Sequence, residues 1–259
     1  MTKIEAYKGK RSEIKIEKVI DIDSPEKEKP LLISGFTGVG MIGTIIANEL
    51  IKQFDMEQIG YVLCEDLPPI TVFYEGEIKH PFRIYYDEKR KILVTLCEVP
   101  FPNEAYNELA RTLVNWAIQT DISEIVTFQG MASKALIRQN DTPVFAAGQD
   151  KSLKKLFENG VEKPPKGIIT GAEAAILNET LNKKMKGIIF LTAANPRIPA
   201  PEASADILEK FGEIYHYNIS LEDLKEQSDK IKNQLQELQE KTNDMHQNQQ
   251  NKPKHKLYS

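Results

Sequence analysis

Short runs rich in Ile, Val and Leu recur along the chain at Leu31 to Phe36, Ile59 to Cys64, Ile92 to Cys97, Glu124 to Phe128, Gly167 to Thr170 and Gly187 to Thr192. Several lack the polar alternation of a half-wet strand, which marks them as strands buried on both faces. Between them, apolar residues three and four apart predict helices over Met41 to Phe54, Asn103 to Gln119, Ala172 to Lys184 and Glu202 to Phe211, each opened by Gly, Asn or Pro. Strands alternating with helices predict a three-layer α/β/α sandwich around a mostly parallel sheet. The helix from Asn103 carries Tyr106, Leu109, Leu113 and Trp116 on one face, so Trp116 is read as core. Tyr85-Tyr86, the turn-like Asp87 to Arg90 and the strand after it predict a hairpin. On this reading residues 1–29 are an N-terminal segment supplying an edge strand, and 30–219 are the α/β domain.

From Ser220 the pattern changes. Ser220 and Asp223 form a capping pair, and the helix they open carries Leu221, Ser228, Leu235 and Thr242 at one heptad position and Leu224, Ile231, Leu238 and Met245 at the other. Half of the first set is polar, so residues 220–245 fit either a weak coiled coil between subunits or a terminal helix packed on its own domain. Residues 246–259 are read as a disordered tail. From His246 to Lys256 that tail has no apolar residue, and it then ends in Leu257, Tyr258 and Ser259. A hydrophobic residue, a tyrosine and a terminal residue on a solvated string read as a docking tag for a protein receptor. Fourteen residues beyond Met245 would reach about 46–50 Å when extended.

Composition narrows the classes. With 41% hydrophobic residues the chain can fill one large core, and its net charge of −4 with no basic stripe beyond Lys252, Lys254 and Lys256 argues against nucleic-acid binding. No apolar run suits a secretion signal or a membrane span, so a cytoplasmic protein without a membrane partner is expected. Cys64 and Cys97 both lie in apolar runs and are read as buried thiols rather than a disulfide or a metal site.

The strongest enzyme-like signal is GFTGVGMIG, Gly35 to Gly43, which sets Gly38, Gly40 and Gly43 in G-x-G-x-x-G spacing between a strand and a helix. In a dinucleotide fingerprint such glycines admit a pyrophosphate, and an acidic residue some 20 positions on holds the ribose. Glu65 and Asp66 stand at about that distance. The alternative is that the glycines only let a helix pack closely on the sheet. Other signals are weaker. G-x-S-x-G, H-E-x-x-H and C-x-x-C are all absent, and Ser152 and Lys155 are read as solvated. His80, His216, His246 and His255 are isolated in sequence. Glu173 sits near a predicted helix start, where the helix dipole accounts for it and a pocket carboxylate is the minority reading. Asn195-Pro196, Pro199 and Pro201 read as a rigid loop.

Taken together, GFTGVGMIG, LPPITVFYEGE from Leu67, CEVPFPNEAYNELARTLVNWA from Cys97, ITGAEAAIL from Ile169 and PEASADILE from Pro201 resemble the proteasome assembly chaperone 2 family in its archaeal form, over roughly residues 30 to 232. Thr37 stands where the family usually has proline, and the late segment lacks its usual aspartate. The resemblance implies a phosphorylase-like or peptidase-like sandwich without catalytic groups, no cofactor or metal, and a homo-oligomer, most plausibly a tetramer. It also implies binding to the α-subunit ring of the core proteasome through Leu257, Tyr258 and Ser259, in ring assembly or ATP-independent activation, and admits a related paralogue of the family as a further partner. A dinucleotide-dependent oxidoreductase using the glycine loop and a non-catalytic oligomeric scaffold remain the competing classes.

Overall fold

The computed structural model describes residues 2–22, 29–132, 143–231 and 233–234. Its strands in chain order are β1 (Thr2–Ile4), β2 (Tyr7–Lys8), β3 (Ser12–Ile16), β4 (Ile20–Ile22), β5 (Leu31–Gly35), β6 (Glu57–Cys64), β7 (Val72–Tyr74), β8 (Glu77–Lys79), β9 (Phe82–Asp87), β10 (Ile92–Cys97), β11 (Glu124–Met131), β12 (Phe145–Gly148) and β13 (Lys186–Ala193). The helices are α1 (Ile42–Gln53), α2 (Asn103–Gln119), α3 (Asp150–Glu158), α4 (Ala172–Lys183) and α5 (Pro201–Tyr215), and residues 222–231 are also helical.

Nine strands form one sheet in the order β12-β13-β11-β5-β10-β9-β6-β3-β2. The pairings β13–β11, β11–β5 and β5–β10 are parallel; the other five are antiparallel. The expectation of a mostly parallel sheet is therefore wrong: this is a mixed α/β fold with a parallel centre and antiparallel wings. The physical reason is that the chain between α1 and α2 lays down β6, β9 and β10 without a crossover helix, and a strand joined through a hairpin returns antiparallel. The β9–β10 hairpin is the one expected, its turn held by Asp87 accepting from the Arg90 backbone N–H (2.7 Å).

Both faces of the parallel centre are covered, which is why its strands lack polar alternation. Leu32, Leu93 and Ile125 face α2 and α4, whereas Leu31, Ile33, Ile92, Val94 and Val126 face α1 and α5. Trp116 is fully buried in the first layer and its indole N–H donates to the Glu5 carbonyl (2.8 Å). The N-terminal strands are clamped to the same layer by the buried Glu108 carboxylate, which accepts from the backbone N–H of Lys10 and of Arg11 (2.9 Å each). Burial pushes this carboxyl up, but those bonds and Arg111 outweigh it and leave it below its ordinary value. A depressed carboxyl stabilises the fold above the unfolded-state pKa, and the contribution is lost as pH falls through the folded value. Glu108→Gln is expected to flatten the acid limb of a stability-against-pH curve measured by urea unfolding.

Two further expectations are corrected. Gly167 to Thr170 is irregular, not a strand: Ile168 projects into solvent, and the strand in this part of the sheet is β12, antiparallel to β13. Cys97 is buried as expected, whereas Cys64 at the end of β6 is only half-buried; both are free thiols. The helix at 222–231 packs on its own domain. Leu224 and Ser228 are buried, Leu221 lies against the α1/α5 layer, and Gln53 brackets Ser220 by accepting from its N–H (2.7 Å) and donating to its carbonyl (2.6 Å). Leu235, Leu238, Thr242 and Met245 lie outside the described residues.

Candidate functional site

The connections leaving β5 and β11 diverge, β5 leading toward β6 and β11 toward β13, so the carboxyl ends of these parallel neighbours form a topological switch point. In open α/β sheets that crevice is where ligands usually bind. The glycine loop lies there, running from Gly35 at the end of β5 through a 3-10 turn at Val39–Met41 into α1.

The glycines face protein. Gly40 has a left-handed backbone (φ 69°), and a Cβ on it would sit 2.8 Å from Ala194 Cβ and 3.0 Å from Ala200 Cβ; its carbonyl accepts from the Ala200 N–H (2.9 Å). A Cβ on Gly43 would meet the Phe36 and Phe128 backbone. The space that a pyrophosphate would need is filled by the segment joining β13 to α5. The ribose position fails too. Glu65 and Asp66 follow β6, which is separated from β5 by β10 and β9, and Asp66 is paired with Arg11 (2.7 Å). The spacing matches a dinucleotide fingerprint; the residues do not fit the group, and the close-packing alternative accounts for Gly40 and Gly43. Gly40→Ala is expected to cost about 2–4 kcal/mol in a urea titration, through left-handed strain plus overpacking. Gly38→Ala is expected to stay within about 1 kcal/mol, because Gly38 is extended (φ −150°) and its nearest neighbour would be 3.6 Å away.

That neighbour is Glu173. Near the N-terminus of α4, its side chain is 2% exposed and reaches under the glycine loop. Oε2 accepts from Gln129 Nε2 (3.4 Å), a nitrogen that also donates to the Thr170 carbonyl (2.9 Å), while Oε1 is sealed from solvent and has no partner. Burial pushes the Glu173 carboxyl up to about 7, against the pull of its own backbone N–H. Its neighbour Tyr106 is also raised, by burial first and by the Glu173 charge second. The helix dipole favours a negative charge at this position, but desolvation wins, so the pocket-carboxylate reading is the one the geometry supports. This carboxyl can hold or release a proton near neutrality. No histidine, cysteine or second carboxyl hydrogen-bonds it among the described residues.

The remaining candidates are scattered. His80 stacks on Tyr61 (3.8 Å between centroids) and His216 closes α5. His246, His255, Lys252, Lys254, Lys256 and the docking tag Leu257, Tyr258 and Ser259 lie outside the described residues. No group of three His, Cys, Asp or Glu among the described residues could hold a metal ion, and no described helix is long and apolar enough to cross a membrane.

Residues 32–239 match the family model described as PAC2 family. The chain belongs to the PAC2 family. Its fold is shared with PbaA of Pyrococcus furiosus, an archaeal homologue of proteasome-assembly chaperone, at 26% identity and a TM-score of 0.77, over 92% of this chain and 96% of that one. A Thermoplasma acidophilum protein of unknown function is 31% identical, with a TM-score of 0.71 over 86% and 91% of the two chains. PbaB of Pyrococcus furiosus, an archaeal proteasome activator, shares the fold at 18% identity and a TM-score of 0.75, over 88% and 99%. In this PAC2 chain the glycine loop and the buried Glu173 both lie inside the matched span.

Proposed function

We propose that the chain is a proteasome assembly chaperone that docks on the α-subunit ring of the core particle, and that it opens the ring's gate without ATP once the particle is complete. The observation that carries this reading is PAC2 membership over residues 32–239 together with the near full-length likeness to PbaA. Docking is assigned to the tail. Leu257 enters an apolar recess between α-subunits, the Tyr258 ring is buried with its hydroxyl bonded, and the terminal carboxylate at Ser259 pairs with a lysine. One short tail binds weakly, so the protein works as a homo-oligomer, a tetramer on the family resemblance; several tails raise avidity by about 10²–10⁴ when they dock together. The setting is the cytoplasm of an archaeal-type cell. The filled cradle around Gly40 disfavours the oxidoreductase reading.

Incubating the protein with separated α-subunits and, in parallel, with assembled core particle tests this. Co-elution with α-subunits and faster ring formation support the chaperone role; faster peptide hydrolysis by the assembled particle supports gate opening. Neither effect at micromolar protein would leave the scaffold reading.

A further inference from the structure

Two apolar features lie on opposite sides of the parallel centre, and neither is used by the site described above. The first is the β7–β8 hairpin, a separate two-stranded ribbon between β6 and β9. Phe73 and Ile78 are direct cross-strand partners, so their side chains share one face. They are 76% and 78% exposed. The opposite face is anchored: the Tyr74 hydroxyl bonds to Glu98, and the Arg83 guanidinium lies over the Tyr74 ring at 5.3 Å. A hairpin pinned on one face and bare on the other presents a fixed apolar knob. Its tip carries the exposed Glu75 and Glu77, and Lys79 on the same ribbon pairs with Glu77 (2.6 Å).

The second is a groove of about 300 Å³ between α4 and the outer edge of the sheet at β12, with Ala147, Ile169, Ala174, Leu177 and Leu181 among its walls. Ile168 beside it is 92% exposed. The exposed Lys183, Lys184 and Lys186 fall between the lining residues Leu181 and Gly187 in sequence, Lys183 being 3.9 Å from Glu179, and the exposed Lys166 stands three residues before the lining Ile169.

We propose that the Phe73/Ile78 hairpin of one copy seats in the α4–β12 groove of the next, with Glu75 and Glu77 meeting the lysine rim. Knob and groove are both apolar, and their borders are opposite in net charge, Glu75 and Glu77 outnumbering Lys79 on one and Lys166, Lys183, Lys184 and Lys186 outnumbering Glu179 on the other. A second copy of this chain therefore supplies what each lacks. Because the two patches are different surfaces, the contact is head-to-tail and repeats, closing into a ring or extending as a filament. The inference rests on the self-association proposed above and names its contact.

Charge reversal tests it on the full chain by light scattering across micromolar concentrations, with circular dichroism to confirm folding. Glu75→Lys with Glu77→Lys, and separately Lys183→Glu, Lys184→Glu with Lys186→Glu, are each expected to weaken assembly about tenfold or more, since like charges then face each other. An equimolar mixture of the two variants is expected to reassemble, because each hairpin again meets a groove of opposite sign. Phe73→Ser with Ile78→Ser is expected to dissociate the assembly, and mixing it with the lysine-reversed variant is expected to restore at most a pair, since one natural hairpin then meets one natural groove. If the natural protein is a monomer throughout, self-association itself fails. If the natural protein assembles but the reversals change nothing, or the mixture stays apart, self-association stands and this contact is wrong.

Discussion

Glu173→Gln is expected to stabilise the protein at pH 8 by about 2–3 kcal/mol while leaving it unchanged at pH 4. The folded carboxyl titrates at about 7 against an ordinary value of 4.5. Between those two values the folded state holds a proton that the unfolded state has released, so stability falls as pH rises through that window and is flat on either side. Each pKa unit corresponds to about 1.4 kcal/mol, which puts the whole cost at about 3 kcal/mol. Glutamine keeps the shape and can still accept from Gln129 Nε2, while removing the charge whose Oε1 has no partner. A chain of this size gains about 2–4 °C in Tm per kcal/mol. Urea titrations of both proteins at pH 4, 6 and 8 check this: the curves should diverge only above pH 4.5. Parallel pH profiles would mean that Oε1 acquires a partner in solution.

Tyr258→Ala, in protein prepared with Ser259 as its last residue, is expected to abolish capture of core proteasome and to leave the fold intact. The tag follows a polar string that can add nothing to a core, so its removal costs little stability. In a docked state the tyrosine ring and the terminal carboxylate are the groups able to supply a buried anchor and a charge-assisted bond, which concentrates the binding energy on few atoms. One extra residue after Ser259 moves the carboxylate without touching Tyr258 and is expected to be nearly as harmful. Immobilised core proteasome, exposed to the unmodified protein, Tyr258→Ala and the extension, gives the comparison. Equal affinity for all three would transfer docking to the globular body.

The parallel centre was legible because burial on both faces leaves a continuous apolar run, and β10 and α2 have the expected ends. The wings were not. In β3, Ser12–Ile16 alternates lysine and glutamate with two isoleucines, so it reads as exposed although Ile14 is fully buried between the sheet and α2. Gly167 to Thr170 misled in the opposite sense, since four residues of strand-like composition do not reveal whether a sheet edge is within reach. In the candidate site, the glycine spacing was visible, but what fills the cradle was not, because Ala194 and Ala200 come from the far end of the chain. Glu173 was singled out for its place at a helix start; its burial under Gly38 depends on how α4 lies over β11 and β13, which no local pattern encodes.

The bond from the Ala200 N–H to the Gly40 carbonyl also sets an order of events during synthesis. β5 is among the earliest strands to emerge, yet its neighbours β10 and β11 and the alanines that close its glycine loop are all translated later. Contacts so distant in sequence form slowly, because the intervening chain must be closed before they contribute. Until β10 and β11 have left the ribosome, Leu31 to Gly35 is an unpaired apolar strand, a segment open to wrong pairing, and its glycine loop stays unclosed until Ala194 and Ala200 follow. Nascent chains stalled before Ile92 should therefore bind holding factors on the ribosome, and those stalled well beyond Met131 should release them.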